Sequence, residues 1–232
     1  MDNIKITLDE ATPKDPITLM GRMIGTAYQS NTTNNEKNYK RGLDCVQSGH
    51  FRALEYVDVF FTMNNISART VRQFYTHIGG LPTRTQGSTR YINYLDFKYI
   101  IPPKIQNNTN ALNAYTECMN KIQETNNYLQ KECHIPKEDS NMILPLAMDT
   151  IVSCKINARN IMTMSEQRKC SRTYWEFRDF MKIFEEKLKN YSEEWEILSS
   201  YIFKVKCEKT GFCEEQYSCG LYPKKEDFKI EK

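Results

Sequence analysis

A chain of 232 residues with 40% hydrophobic and 26% charged side chains has the material for one sizeable core, and no apolar run approaches the roughly 20 residues a membrane-spanning helix requires. With 32 basic and 29 acidic residues the formal charge is +3, too balanced to predict a nucleic-acid-binding surface. The first residues lack the basic, apolar and small-residue pattern of a secretion signal, so the expectation is a cytoplasmic protein, with neither a membrane nor nucleic acid as partner, whose eight cysteines stay reduced.

Ile4, Ile6 and Leu8 alternate with polar residues, the period-two pattern of a strand with one buried face. Residues 17–28 and 36–47 carry apolar side chains at helical spacing and are separated by a turn cluster at 30–35. Residues 55–63 are β-branched and aromatic and predict a largely buried strand. A helix is expected from Ser67, its N-cap, with Val71, Phe74 and Tyr75 on the apolar side and a stop at Gly79, Gly80 and Pro82.

Residues 81–91 are polar, rich in Thr and Arg, and show neither period, which predicts an ordered loop of the kind that holds ligands. A strand is expected at 94–101, closed by Pro102-Pro103, then a long surface helix over 107–132 packing on a sheet. A short helical segment reaches Leu144, a strand follows at 148–156, and helices are expected from Asn157, over 173–189 and over 193–203. The remaining residues are charged and contain Cys207, Cys213 and Cys219. Helices and strands without regular βαβα alternation give an α+β fold, with a mixed or antiparallel sheet packed with long helices.

Two polar constellations stand out. Arg69, Gln73 and His77 recur every four residues, which on a continuous helix places them on one face leading into the 83–90 stretch with Arg84, Gln86, Ser88 and Arg90. Such a density of guanidinium, amide and hydroxyl groups suits phosphates and base edges, although a solvated turn has the same composition. The second constellation is Asn157, Arg159, Thr163, Glu166, Gln167 and Arg168, with Arg159 and Thr163 on one helical face. Arginines here suit phosphate or enolate-like oxygens, while a surface ion pair is the commoner use. His50 stands alone after Gly49, for which a packed or capping role is the default. The chain has three histidines, none placed for a triad, and it lacks both a GxGxxG run and a P-loop.

The order Ser48-Gly49-His50, Leu54-Glu55, an apolar strand, Arg72-Gln73, His77, Ser88, Arg90-Tyr91 and Ile101-Pro102-Pro103 resembles the flavin-dependent thymidylate synthases, which carry Gly-His before the strand and an R-H-R-x-x-S-x-N-E-x-S-x-R-Y signature after it. The resemblance continues through Leu144-Pro145, Asn157-Ala158-Arg159 and Arg168 to Trp175-Glu176, covering about residues 17–190. Departures lie at its centre. Thr76 and Ile78 stand where the signature has arginines, Gln86 where it has an acid, Asn141 where the family has an arginine, and the stretch from His77 to Ser88 is longer; Arg84 or Arg52 would have to compensate.

The resemblance implies a single domain of the thymidylate synthase-complementing type over residues 1–203, with 204–232 as an appended cysteine-containing tail. It implies a homotetramer that binds FAD, takes reducing equivalents from NADPH and one carbon from methylene tetrahydrofolate, and methylates dUMP to dTMP without an enzyme cysteine adding to the pyrimidine. Position by position, Arg168 matches the arginine that favours ionisation at the pyrimidine N3, and His50 matches a histidine near the flavin, which places it as a folate or flavin gate. Gln73, Gln86, Ser88 and Arg90 match nucleotide-binding positions. Glu55, His77, Asn157, Arg159 and Thr163 match flavin-contacting positions, with Thr163 replacing an asparagine. The altered signature keeps two alternatives in play: a related flavoenzyme acting on another pyrimidine nucleotide or forming a hydroxymethyl product, and a nucleotide-binding oligomer without catalysis. Cys207, Cys213 and Cys219, with Cys170, could supply four thiolates to zinc, but their spacing exceeds that of usual paired ligands and free thiols are the favoured reading.

Overall fold

A computed structural model of the chain describes residues 4–77 and 83–227. In chain order the elements are β1 (Lys5–Leu8), α1 (Pro16–Gly25), a 3-10 turn (Thr26–Tyr28), α2 (Asn35–Gln47), a 3-10 turn (Phe51–Tyr56), β2 (Asp58–Ser67), α3 (Ala68–Phe74), β3 (Thr83–Gln86), α4 (Pro103–Gln106), α5 (Thr109–Lys131), α6 (Lys137–Ser140), a 3-10 turn (Asn141–Ile143), β4 (Asp149–Asn157), α7 (Ala158–Arg168), α8 (Trp175–Lys189), α9 (Glu193–Ile202) and α10 (Lys206–Thr210). The strands form one four-stranded antiparallel sheet in the order β1-β2-β4-β3, so the fold is α+β as expected. Among the described residues no helix is long and apolar enough to cross a membrane.

The described chain groups into two compact units, one of residues 4–5, 63–76 and 84–153, the other of residues 6–62, 77, 83 and 154–227. The strands β2 and β4 contribute residues to both.

In the second unit, α1 and α2 approach backbone to backbone. A Cβ on Gly21 would stand 1.7 Å from the Asn38 carbonyl oxygen, and one on Gly42 would stand 2.0 Å from that of Ile17. Only glycine admits that approach, and Arg41 ties it by donating to the Gly21 carbonyl (2.8 Å) and to Asn38 Oδ1 (3.0 Å). The end of α2 is a Schellman stop: Gly49 takes φ +80°, His50 N–H donates to the Cys45 carbonyl (2.8 Å) and Gly49 N–H to that of Val46 (3.3 Å). The Gly-His pair is therefore a helix terminator that aims the chain into the Phe51–Tyr56 turn. Behind these elements lies an aromatic core in which Phe177, Phe180 and Phe184 recur along the buried face of α8, Phe61 of β2 packs 4.6 Å from Phe184, and Trp195 of α9 is fully buried with its indole N–H on the Pro13 carbonyl (2.7 Å).

In the first unit the expected strand at 94–101 does not form; Tyr99 makes a single bridge to Met148. Tyr94 and Phe97 instead both turn inward onto Met119 and Met148. The carbonyls of Tyr94, Leu95 and Phe97 accept from side-chain amides of Asn126 (3.4 Å), Asn127 (3.3 Å) and Gln123 (2.8 Å) on α5, which replace a strand partner. The long helix thus packs on this irregular segment, and Met119 and Asn126 are its buried residues.

Three other expectations shift. The strand expected at 55–63 begins at Asp58 and runs to Ser67, leaving Glu55 in the preceding 3-10 turn. It extends because Asn65 adopts φ +54°, a bulge that restores inward pointing at Ile66 after Met63, and Ile66 N–H donates to Asp149 Oδ1 (3.0 Å). Part of the polar 81–91 stretch is a strand, β3, rather than loop throughout. Ser67 does cap α3, its hydroxyl accepting from Thr70 N–H (3.2 Å), but the helix ends at Phe74; the expected Gly79, Gly80 and Pro82 stop lies outside the described residues. Replacing Gly21 with alanine is expected to force α1 and α2 apart and cost about 3 kcal/mol of stability, read from the urea midpoint; a midpoint within error of the parent would refute the close-approach argument.

Candidate active site

The helix α7 starts where β4 stops. The Asn157 side chain accepts from Asn160 N–H (2.9 Å), capping the helix, and Ala158 N–H donates to the Val57 carbonyl (2.8 Å). This junction sets the phase of α7. Arg159 lies in its first turn with the guanidinium 5.7 Å from the Phe51 ring centre, and Thr163, one turn on, is exposed and donates to the Arg159 carbonyl (3.1 Å). Lys209 of α10 also lies over Phe51, at 5.4 Å, and its ammonium pairs with Glu166 (2.6 Å). The Phe51 ring therefore carries two cations, one from a segment that sequence reasoning had left without a role.

At the far end of α7, Arg168 Nε donates to His77 Nε2 (2.8 Å). Both residues rest on Phe177, the guanidinium 5.1 Å and the imidazole 5.7 Å from its ring centre, the latter edge-to-face. Burial, and then the Arg168 charge, push the His77 imidazole from its ordinary 6.5 down to about 4, so it is neutral near pH 7; burial also lowers Arg168. Among the described residues the terminal nitrogens of Arg168 carry no hydrogen bond. The following residue locks this end of the helix, with Lys169 Nζ donating to Glu185 Oε2 and to the Phe203 carbonyl (2.6 Å each).

His77 was expected on one helical face with Arg69 and Gln73, but it lies beyond the end of α3 and in the other unit. The four-residue spacing was real and the helix too short to use it. Phe177 belongs to the apolar stripe expected of the helix over 173–189 but was not expected at the site, although it follows Trp175-Glu176 and begins the buried stripe of α8. His50 is exposed with Nδ1 3.5 Å from the Ser48 hydroxyl, and Glu55 is exposed.

In the first unit, the Gln86 amide is engaged at both ends, accepting from the Tyr75 hydroxyl (3.0 Å) and donating to Thr150 Oγ1 (3.2 Å). Arg84 covers the Tyr75 ring at 4.2 Å. Ser88 Oγ accepts from Arg90 N–H (3.1 Å), and the exposed Arg90 pairs with Glu138 (2.9 Å). Asn141, where the resemblance leads one to expect arginine, is buried: its amide donates to the Thr89 carbonyl (2.6 Å) and its oxygen accepts from Asn126 (3.1 Å), pinning the turn after Ser88 to α5. Gln73 differs from these, since its Oε1 is buried without a hydrogen-bond partner among the described residues. All eight cysteines are free thiols, and among the described residues no three metal-type side chains converge.

The family model described as thymidylate synthase complementing protein matches residues 8–191. The chain belongs to this family. A flavin-dependent thymidylate synthase of Nitratidesulfovibrio vulgaris is 25% identical over 187 residues, covering 77% of this chain and 74% of that protein. One from Saccharolobus solfataricus is 30% identical over 139 residues, covering 58% of this chain and 51% of that protein. In the Clostridium tetani relative the match likewise spans 58% of the relative's length. The crystal structure of flavin dependent thymidylate synthase from Helicobacter pylori, complexed with FAD and dUMP, aligns with a TM-score of 0.62 at 18% identity, covering 87% of this chain and all (100%) of that one, and shares the fold. The matched segment contains Arg168, His77 and Phe177, whereas Lys209 lies beyond it.

The depressed imidazole has a consequence for stability. Between about pH 4 and pH 6.5 the unfolded chain binds a proton at His77 that the folded chain refuses, so stability falls as pH is lowered through that window. Thermal melting from pH 7 to pH 4 is expected to show a shallower decline for His77→Leu than for the parent protein; parallel declines would mean that His77 titrates alike in both states.

Proposed function

We propose that this chain is a flavin-dependent thymidylate synthase, converting dUMP, methylene tetrahydrofolate and NADPH with a proton into dTMP, tetrahydrofolate and NADP. The observation that carries the reading is Arg168, a guanidinium positioned through Nε on neutral His77, whose terminal nitrogens carry no hydrogen bond among the described residues, inside the segment that matches the family. A pyrimidine that gives up its N3 proton gains negative charge at N3 and its flanking oxygens and becomes more nucleophilic at C5. A fixed, partly desolvated guanidinium facing that edge stabilises the anionic form.

The residues present fit FAD. Its phosphates are anions and its ring system offers nitrogen and oxygen acceptors, which suits Arg159 together with Thr163 and Asn157 at the start of α7, while its hydroxyl and ring N–H donors suit the carboxylate of Glu55 in the turn that carries Phe51. When bound, FAD supplies the two-electron chemistry that links NADPH to reduction of the transferred carbon. His50 is assigned to the folate or flavin entry.

Nucleotide contacts are assigned to Gln73, whose orphaned acceptor calls for a ligand donor, to Ser88 and Arg90 for phosphate, and to Gln86, whose bonds to Tyr75 and Thr150 make it a support for its strand in the absence of ligand. We assign catalysis to a homotetramer with residues 1–203 as the synthase portion and 204–232 as an appendage.

A second reading, action on a different pyrimidine nucleotide, draws on one observation. Asn141 replaces a cation and is committed to the Thr89 carbonyl, which removes a positive charge from the nucleotide side.

Purified protein given FAD is expected to show flavin absorbance bands that bleach with NADPH, and mass spectrometry of the product is expected to show dTMP from dUMP. Protein that stays colourless with FAD would favour nucleotide binding without catalysis, and a hydroxymethyl mass the related flavoenzyme. Arg168→Ala is expected to lower kcat by roughly 100-fold or more while leaving the melting temperature near that of the parent; unchanged turnover would remove Arg168 from the chemistry. Ser88→Ala and Arg90→Ala are expected to raise the Kd for dUMP more than that for FAD, and equal effects would contradict the assignment of this turn to the nucleotide.

A further inference from the structure

We infer that His77 is the positioning residue of Arg168, holding its guanidinium by a neutral ring nitrogen. The inference rests on the reading of Arg168 given above, and goes beyond it by assigning the role of its partner.

The argument starts from donor and acceptor counting. An arginine side chain has five N–H groups and no acceptor, so His77 Nε2, 2.8 Å from Arg168 Nε, must present a lone pair. A neutral imidazole with that nitrogen unprotonated carries its hydrogen on Nδ1. The environment enforces this state: Phe177 offers its ring to both partners, and the guanidinium charge disfavours a second cation beside it. Thr76 and Ile78 flank His77, so no cation is adjacent to it in sequence.

The geometry also explains which part of the guanidinium is left for a ligand. An arginine held by Nε keeps its two terminal nitrogens as a planar fork, and these are the nitrogens without hydrogen bonds among the described residues. Lys169 anchors the backbone at the end of α7, but a five-bond side chain beyond it would still sample many rotamers. The His77 acceptor and the Phe177 face restrict that sampling, and a fork already aimed loses less freedom when charge develops on the substrate.

Two measurements test the inference, and they fail separately from the functional reading. Nitrogen-15 spectra of the histidine rings, with three histidines to assign, are expected to show His77 neutral with the proton on Nδ1 at pH 7, and to shift at His77 but not at His50 or His134 in Arg168→Ala. A protonated Nε2, or a His77 ring indifferent to loss of Arg168, would overturn the pairing whether or not the protein turns over dUMP. In turnover, His77→Leu is expected to lower kcat roughly tenfold or more with the Kd for FAD unchanged, and His77→Gln, whose amide oxygen occupies the place of Nε2, to recover most of it. A raised Kd for FAD with kcat intact at saturating flavin would make His77 a cofactor contact instead. A glutamine variant no better than leucine would show that acceptor chemistry is not its role. A parent protein without dTMP formation would end the functional reading and leave the ring spectra to decide the pair.

Discussion

The junction at Asn157 is the constraint on which the candidate site depends. There a nine-residue strand with strict in-out alternation becomes an eleven-residue helix without an intervening loop. The Asn157 side chain satisfies the Asn160 amide, and the Ala158 amide is returned to the Val57 carbonyl. Backbone polarity at a buried helix start has to be answered locally, so these bonds leave little latitude in where the helix begins. Once its start is set, the 3.6-residue repeat places Arg159 and Thr163 on a common face, and the length brings Arg168 to the last position. Asn157 thus has a structural use that competes with direct cofactor contact, and its importance to the site runs through the residues it orients.

The far end of the same helix is held by different physics. Lys169 satisfies a carboxylate on α8 and a backbone carbonyl after α9, fastening the helix terminus by charge. The aromatic stripe of α8 supplies the apolar floor, and Phe177, its first buried ring, carries Arg168 and His77. Burial lowers the pKa of both the imidazole and the guanidinium, while among the described residues the terminal nitrogens of the arginine carry no hydrogen bond. The result is a cation that is oriented before any ligand arrives.

The first unit shows the opposite economy, with its polar groups mostly bonded to one another. Gln86 bridges Tyr75 and Thr150, Ser88 receives the Arg90 amide, Arg90 meets Glu138, and Asn141 joins the Thr89 carbonyl to α5. Asn141 is therefore a fixed tether of the adjacent turn. Among the described residues Gln73 Oε1 is buried without a hydrogen-bond partner, as are Asn64 Oδ1 and Asn127 Oδ1 of the same unit.

Short-range chemistry was legible in the chain itself. Alternation at Ile6, the strand expected at 148–156, the cap at Ser67, a helix beginning at Asn157 and the helical stripes of α2, α5, α8 and α9 all follow from periods and capping preferences that need no knowledge of the rest of the protein. The ordered resemblance from Gly49-His50 to Trp175 likewise pointed to the family whose model matches residues 8–191. What the sequence could not decide were pairings made at a distance. Residues 94–101 have strand composition, but α5 offers side-chain amides where a strand would need a neighbour, so the segment stays irregular. His77 has helical spacing from Gln73, but its helix ends at Phe74 and its partner is Arg168, 91 residues away. Periodicity reports what a residue's near neighbours allow, whereas a hydrogen bond across that separation depends on where the strand β4 and the aromatic face of α8 deliver the chain, and only the tertiary structure decides that.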